Sequence, residues 1–297
     1  MQVRPFQRND REQLTALVNT HIAAILPGVS IPVNALMSQL EREPGEPIVD
    51  PWVVERQTLV AIERDAVVAG AHLLRYGDDE RVDESYRSLA EIRWLVCSPD
   101  EETAGDALAA ASIAAMKAWT PRAIAADASL PAPASYGVPD CWPHIRALLV
   151  RNGFRHEGKT EVIHVADVAA LPQRTEPPLA GLVARRSVGP FGVRFEAVLG
   201  DDRIGLLDLE TDLTSGGTRS RFAGWADIGN LCVAAPYRRR GVGRWLMGEG
   251  AEWLRLGRVE RLLTYAWPEE VDEIAFDEAV GFRELLRTER GWTLSDG

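Results

Sequence analysis

A run of arginines and glycines between an apolar segment and a predicted helix is the clearest sign of a ligand in this sequence. Residues 238–243 read Arg-Arg-Arg-Gly-Val-Gly, and Gly241 and Gly243 let the backbone approach a ligand without a Cβ in the way. The start of the helix offers unpaired N–H groups and the positive end of the helix dipole. Together with the arginine side chains, these features predict a socket for a diphosphate.

The neighbouring elements are of the kind that would present such a socket. Residues 223–233 are strand-like, and the helix after Gly243 is expected to end at Gly257. A further strand over 261–267 must run parallel to the first strand if the helix crosses over between them. The segment lacks the third glycine and the later acidic residue of a dinucleotide-binding fingerprint, so a different phosphate ligand is indicated.

The length of the chain favours two domains, and its proline content indicates where they divide. The chain has 297 residues, more than one average domain. Residues 166–178 lack hydrophobic periodicity and contain three prolines, which is typical of a linker. We therefore predict a first domain over 1–165 and a second domain over 179–297.

Strand and helix signals alternate in the first domain. Apolar residues within 14–25 recur at the spacing of an amphipathic helix, and Arg64-Asp65 separates the two strands of a predicted hairpin. Ser98 is expected to cap a long helix that runs to about Trp119.

The second domain repeats this strand order in shortened form. Strands are predicted over 193–199 and 203–210, and the helices that open the first domain have no counterpart here. Residues 212–221 form a polar loop of about ten residues, which either covers a substrate or is simply a flexible hairpin tip.

Composition limits the classes of partner. The net charge is −11, from 44 acidic and 33 basic side chains, which argues against nucleic-acid binding and slightly favours a cationic substrate. Cys97, Cys141 and Cys232 are too scattered for a disulfide framework or a metal site, so we expect no metal. No signal peptide or membrane-spanning run is recognisable. We expect a cytoplasmic monomer or homodimer with no membrane partner.

The arginine–glycine segment resembles the acetyl-CoA motif of the GNAT superfamily of N-acetyltransferases. That motif is Gln or Arg, two residues, Gly, one residue, then Gly or Ala, and 238–243 fits every position. Further along, the Phe-Asp-Glu-Ala-Val-Gly-Phe of 276–282 is similar to the family's closing Phe-Tyr-x-x-x-Gly-Phe. The two motifs stand at the family's separation, and the resemblance covers 183–292.

The resemblance implies an α/β fold of the α+β, mixed-sheet kind. It implies two GNAT-like domains in tandem, each with a central mixed, largely antiparallel sheet flanked by helices. It also implies acetyl-CoA as co-substrate, with its pyrophosphate on the backbone N–H groups of 239–244 and its pantetheine arm paired with 231–233. The residues assigned to acetyl-CoA are Leu231, Cys232, Val233, Arg238, Arg239, Arg240, Gly241, Val242, Gly243 and Arg244.

The catalytic residues depart from the family pattern. Asp277 stands where the family often has a Tyr as general acid, and an Asp can donate a proton only if its pKa is raised. Tyr265 is the other candidate acid, or the acid is dispensable because a thiolate departs with little help. Asp227 is the first candidate for the general base, with Glu210 and Glu196 behind it.

The first domain resembles a degenerate copy of the same fold. Residues 97–105 take the place of the phosphate loop, but Pro99 removes an N–H group, and Asp100, Glu101 and Glu102 stand where a diphosphate would lie. We therefore expect no CoA binding by the first domain.

Three functions remain open at this stage. The leading hypothesis is direct transfer of an acetyl group to a primary amine of an unidentified acceptor, either a small molecule or a peptide. The second is a regulatory protein that binds acyl-CoA and has lost catalysis, which Asp277 supports. The third is an ordinary nucleotide-phosphate binder.

Overall fold

The computed structural model describes residues 1–43, 45, 50–134, 136–189, 192–211 and 224–295, and these fall into two units. The first unit contains the described residues within 1–160 and 287–295, and the second those within 161–211 and 224–286. The segment 166–178, for which we predicted a linker, belongs to the second unit. The predicted substrate-covering loop, 212–221, lies outside the described residues.

The first unit is a sheet with helices. Its strands follow the order β1-β2-β3-β4-β5-β13, and β6 also pairs with β13. Among the described strand pairs of this unit only β4 and β5 run parallel, and the others are antiparallel. Its elements are β1 (Gln2–Pro5), α1 (Arg11–Ile25), α2 (Val33–Leu40), β2 (Val53–Glu63), β3 (Ala66–Tyr76), β4 (Leu89–Cys97), α3 (Glu102–Ala118), β5 (Ala123–Ala126), β6 (Val138–Pro139), α4 (Pro143–Arg151), the start of β7 (Phe154–Asp167) and the end of β13 (Arg283–Leu294).

Two local predictions for this unit had different outcomes. The hairpin at Arg64-Asp65 is confirmed: both residues have positive φ, 49° and 64°, as a two-residue type I′ turn requires. The prediction that Ser98 caps α3 was wrong. Its carbonyl instead accepts a hydrogen bond from the N–H of Glu101 (3.0 Å), which closes a turn, and Glu101 is the N-cap.

The second unit has the same strand arrangement with fewer helices. Its strands follow the order β7-β12-β11-β10-β9-β8, in which β11 and β12 alone run parallel. No helix among the described residues is long and apolar enough to cross a membrane. The elements are the end of β7, β8 (Leu182–Val188), β9 (Gly192–Leu199), β10 (Asp202–Glu210), β11 (Trp225–Val233), α5 (Val242–Leu256), β12 (Arg261–Ala266), α6 (Val271–Val280) and the start of β13.

Helix α5 packs tightly on one face of the second sheet. Its buried positions include Val242, Leu246 and Leu254, which recur at helical spacing and join the core of this unit. Gly250 permits the close approach, because a Cβ there would lie 2.7 Å from Cδ2 of Leu207 on β10. The helix is therefore anchored to the strand next to β11.

The segment 168–178 runs along α5 from the end of the helix to its start. The Arg255 guanidinium donates to the carbonyls of Val168 (3.0 Å) and Leu171 (2.8 Å) near the helix C-terminus. Arg174 then pairs with Glu249 at 2.8 Å. At the helix N-terminus, a Cβ on Gly241 would lie 3.3 Å from Cβ of Pro178, and these contacts fix the segment on the helix.

Substitution of Gly248 tests how closely the segment 168–178 packs on α5. Helix propensity alone predicts that Gly248→Ala stabilises the protein by about 1 kcal/mol. A Cβ at this position would lie 2.7 Å from the backbone oxygen of Gln173, so we expect overpacking to outweigh the propensity gain. The free energy of unfolding, measured in urea, should fall by about 1 kcal/mol.

Gly257→Ala is the matched control. Its Cβ would meet no atom closer than 3.5 Å, and its φ of −78° suits alanine, so the change should stay within about 0.5 kcal/mol. A more stable Gly248→Ala variant would contradict the tight packing of Gln173 on α5.

Candidate active site

Two residues just before α5 adopt left-handed backbone conformations. Arg239 has φ 58°, and Gly241, the N-cap, has φ 83°. The first bond within the helix runs from the Trp245 N–H to the Gly241 carbonyl at 3.0 Å. The N–H groups of 242–244 therefore have no acceptor in their own helix, and an anion at this point would meet all three.

Four arginines surround this helix start and keep their charges available. Arg238 donates to the Val233 carbonyl at 2.9 Å, and Arg244 donates to the Ala279 carbonyl at 3.0 Å. The Arg240 guanidinium lies 5.9 Å from the ring centre of Tyr237. Within the described parts of the chain none of these side chains, nor that of Arg239, pairs with a carboxylate. The local field is consequently positive.

Gly243 has a different role from Gly241. A Cβ at Gly243 would lie 3.3 Å from Cε2 of Phe276 on α6 and 3.7 Å from Cγ2 of Val233 on β11. The missing side chain lets α6 and the end of β11 come together beside the start of α5. The two sequence motifs, far apart in the chain, meet at this contact.

Strands β11 and β12 pair for only three residues and then separate. Their parallel register runs from Trp225↔Arg261 to Asp227↔Leu263, although β11 continues to Val233. On its other side β11 stays paired with β10, with a register shift that leaves Gly229 as a bulge between Ile228 and Asn230. The edge of 228–233 that faces β12 is thus outside the ladder, and can pair with an extended ligand.

Two carboxylates lie where the strands separate. Asp227 is opposite Glu210 on β10, and a Cβ at Gly229 would lie 2.5 Å from Oε1 of Glu210, so this side chain covers the bulge. The Tyr265 hydroxyl on β12 donates to Oδ2 of Asp227 at 2.9 Å. Oδ1 of Asp227 has no hydrogen-bond partner among the described residues. The site therefore brings together three of the residues singled out from the sequence.

Burial controls the protonation of these groups. Asp227 is 7% exposed, and loss of solvation raises its pKa to about 7; the Tyr265 hydrogen bond lowers the pKa and the Glu210 charge raises it. Loss of solvation, followed by the charge of Asp208, also raises the pKa of Glu210. A carboxyl group whose pKa lies near neutrality is suited to accept a proton from an amine.

Asp277 is a second buried carboxyl group with a raised pKa. It lies on α6, is 6% exposed, and has a pKa of about 7 because of burial and, second, the charge of Glu273 one turn earlier. Nδ1 of His164, on β7, lies 3.9 Å from its Oδ2. The raised pKa meets the condition under which an Asp can act as an acid.

Glu196, the third candidate base, stands apart from this group. It is on β9, opposite Leu206, and pairs with Arg203 at 3.2 Å. Cys232 is exposed near the end of β11, with Leu231 and Val233 half-buried on either side of it. The structure thus places 231–233 on the unpaired strand edge and places Glu196 further along the sheet.

The second unit matches a known family over most of its length. Residues 181–282 match the model of the acetyltransferase (GNAT) family. This part of the chain is a GNAT domain. Its family uses acetyl-CoA as co-substrate. The match contains both the α5 loop and the end of α6, as the two sequence motifs predicted. No curated protein sequence matches the chain.

Solved structures show the tandem GNAT fold for the chain. The tandem GNAT protein from the clavulanic acid biosynthesis pathway has a TM-score of 0.67 and 16% identity, with 99% of each chain covered. A GCN5-related N-acetyltransferase from Sphaerobacter thermophilus has a TM-score of 0.61 and 12% identity, with 98% of this chain and 93% of that chain covered.

A third structure contains this fold as part of a longer protein. It is the GCN5-related glucosamine N-acetyltransferase region of a fungal multi-domain GH3 β-N-acetylglucosaminidase, with a TM-score of 0.65 and 15% identity. The match covers 98% of this chain but 38% of that one. Because the sequence identities are so low, these three similarities show a shared fold and nothing more.

The first GNAT unit has the same strand bulge as the second. The β3–β4 register passes from His72↔Trp94 to Leu73↔Ile92 and leaves Arg93 unpaired, as Gly229 is in the second unit. The two units thus share this irregularity at equivalent points of their strand orders.

The first unit closes the strand edge that the second leaves unpaired. After the β4–β5 pair Ile92↔Ala126, the N–H of Asp127 donates to the Ile92 carbonyl and the N–H of Ser129 donates to the Arg93 carbonyl, both at 2.9 Å. The chain's own backbone thereby takes the position that an extended ligand would use in the second GNAT unit.

The sequence analysis did not single out His164. It is 1% exposed, in the run Val162-Ile163-His164-Val165 of β7. A histidine inside such an apolar run is a detectable signal of a buried polar contact. Its partner could not be read in the same way, because Asp277 lies on a helix far along the chain.

The raised pKa of Asp277 predicts a stability effect with a definite sign. The folded-state pKa of about 7 exceeds the ordinary value of 3.8, so stability falls as the pH rises between these values. Asp277→Asn removes this loss. In thermal melts, the Tm of the variant should exceed that of the wild type by a few degrees at about pH 8, and by less at about pH 5.

Asp208→Asn provides the opposite case. Asp208 accepts two hydrogen bonds from Arg194, both at 2.7 Å, so its replacement should lower the Tm at the higher pH. If Asp277→Asn lowered the Tm in the same way, Asp277 would be a stabilising partner rather than an uncompensated buried acid.

Proposed function

We propose that the chain is an acetyl-CoA-dependent N-acetyltransferase that transfers acetyl directly to a primary amine. One observation carries the proposal: the unpaired edge of β11 has an anion socket at one end and a buried carboxyl group at the other. The edge covers 228–233, about 20 Å of extended strand, between Asp227 and the loop before α5. This arrangement suits a ligand with a diphosphate, an extended arm and a reactive end.

The residues around the α5 loop fit the co-substrate. The N–H groups of 242–244 and the charges of Arg238, Arg239, Arg240 and Arg244 would hold the pyrophosphate. The backbone of 231–233 would pair with the pantetheine arm. When bound, acetyl-CoA supplies the thioester whose acetyl group is transferred.

Asp227 is the proposed general base. It has one oxygen held by Tyr265 and one without a partner among the described residues, so Oδ1 can accept a proton from the amine. Tyr265 acts through Asp227 and is a positioning residue. This role leaves Asp277, on α6, as the proposed general acid.

The proposed reaction balances with these two carboxyl groups. The amine nitrogen forms a bond to the acetyl carbon as the C–S bond breaks. Asp227 takes one proton from the amine, and Asp277 gives one to the departing sulfur. No covalent intermediate with the enzyme is needed, so Cys232 serves as a wall residue.

The charges at the site support a cationic acceptor. Glu210 forms no hydrogen bond or ion pair with a described residue, and Asp227 is without a cationic partner, whereas nearby Asp208 is neutralised by Arg194. An ammonium group would satisfy both carboxylates on binding, and it releases one proton to solvent before the neutral amine attacks and gives its second proton to Asp227. Small-molecule amines and peptide amines both meet this requirement.

A second candidate function is binding of acyl-CoA without turnover. The observation in its favour is Asp277, which replaces the longer tyrosine of the family motif. Both candidate functions predict binding of acetyl-CoA, so a measurement of acetyl transfer distinguishes them.

Asp227→Asn tests the proposed base. Release of free thiol from acetyl-CoA is followed with a panel of diamines, amino sugars and peptides. The variant should lose about 10²–10⁴-fold in kcat/KM because no group remains to accept the proton. Its affinity for acetyl-CoA, measured by calorimetry, should not change. Glu196→Gln is the control and should stay within about twofold of the wild type.

If acetyl-CoA binds but no amine in the panel releases thiol, the binding-protein alternative is favoured. Equal activity of Asp227→Asn and the wild type would instead eliminate Asp227 as the base while leaving acetyl transfer intact.

The pH profile tests both carboxyl groups together. The base acts when deprotonated and the acid acts when protonated, and both pKa values are about 7. We expect a bell-shaped kcat/KM profile centred close to neutrality. Asp277→Asn should lose the alkaline limb and keep the acidic limb. An alkaline limb that persists in this variant would assign it to a different group.

Gly241→Glu tests the placement of the pyrophosphate. A glutamate at the N-cap is strained at φ 83° and adds a negative charge, so acetyl-CoA should no longer raise the Tm. Gly200→Glu, at a turn with φ 64° and no atom within 4 Å, introduces the same charge under similar strain. Acetyl-CoA should still stabilise this control. Stabilisation of both variants would rule out the α5 loop as the site.

A further inference from the structure

A cavity of about 790 Å³ opens on the flank of α5 that faces β8. Its walls come from the segment 168–178, from β8 and β9, and from Trp245 and Glu249 on α5. Its volume lies within the range of about 300–1,000 Å³ that small-molecule sites occupy. All of its lining belongs to the second unit.

This cavity is separate from the proposed acetyl-CoA site. Gly243 faces Phe276 and β11, whereas Trp245 lies two residues further on, about 200° around the helix. The two sites are therefore on opposite flanks of α5. None of the loop residues 238–244 lines the cavity.

The floor of the cavity is apolar and carries one unsatisfied donor. Leu182, Phe195 and Trp245 are buried, and Ala184 is half-buried beside them. The indole N–H of Trp245 is buried and has no acceptor in the described parts of the chain. The floor can thus hold an apolar body next to a polar group.

The rim carries one guanidinium group that has no partner among the described residues. Arg174 is taken by Glu249 at 2.8 Å. Arg186, on β8, forms no ion pair or hydrogen bond with a described residue, and it lines the cavity. Glu176, the remaining carboxylate of the lining, lies on a different wall, in the exposed stretch 173–178. Arg186 is consequently the anchor available to an anion.

We propose that this cavity is a second ligand site that takes a small organic acid, with its apolar body on the floor and its carboxylate on Arg186. An apolar floor with a few polar groups at the rim is the usual make-up of such sites. The inference does not depend on acetyl transfer, so it is tested in the absence of acetyl-CoA and of any acceptor.

The chain provides a matched pair of variants for the test. Arg186 is opposite Phe195 and faces the cavity, whereas Arg185 is opposite Glu196 and points to the other face of the sheet. Arg186→Gln and Arg185→Gln remove the same charge from adjacent positions of one exposed strand. The probes are 3-phenylpropionate and its neutral amide, 3-phenylpropionamide, with binding followed by saturation-transfer NMR and calorimetry.

The expected result is saturable binding of the acid, about fivefold tighter than that of the amide. Arg186→Gln should remove this preference, and Arg185→Gln should keep it. Ala184→Phe, which fills the floor, should abolish binding of both probes while its circular dichroism spectrum stays that of the wild type. The proposal is overturned if the acid does not saturate, if the amide binds equally well, or if Arg186→Gln behaves like Arg185→Gln.

Discussion

The short parallel pairing of β11 and β12 is the constraint on which the rest of the second unit depends. After Asp227↔Leu263 the ladder stops, and the bulge at Gly229 turns β11 while its pairing with β10 continues. One strand therefore pairs with the fold on one side and leaves its backbone groups on the other side outside the ladder. The helix start and the arginines stand at one end of this free edge, and the buried carboxyl group of Asp227 stands at the other.

The same separation explains why the site carries a cost in stability. Asp227 and Asp277 are both buried, and burial raises the pKa of each to about 7 because it disfavours the ionised form. Asp208 differs from them: both of its oxygens accept hydrogen bonds from Arg194. Among the described residues, Asp227 and Asp277 lack such a bond to an arginine, which lowers stability wherever they are ionised.

Local signals predicted the elements that bear the site, and long-range contacts decided the rest. The helix end at Gly257 follows from a single residue, and it is confirmed. Helix α2 was missed because Val33–Leu40 follows a proline in a stretch that reads as polar loop. The N-cap of α3 was misplaced because Ser98 closes a turn instead.

The site could be predicted as a set of residues but not as an arrangement. Asp227 and Tyr265 were named as a base and an acid, and only the strand register shows that one holds the other. The closed edge of β4 in the first unit follows from the path of the chain after β5, and no sequence motif predicts that path. Sequence reasoning succeeded for features encoded in one continuous segment, such as the loop before α5, and it failed where side chains from distant elements meet.

The position of β13 has a consequence for how the protein is made. Residues 287–294 belong to the first unit, where Trp292 pairs with Ala126 of β5 and Thr288 with Pro139 of β6. The first unit therefore cannot complete its sheet until residues 287–294 have been synthesised. Until then β5 lacks its partner β13, and its open edge can pair with other strands. The sheet of the first unit thus depends on residues that follow the second unit in the sequence.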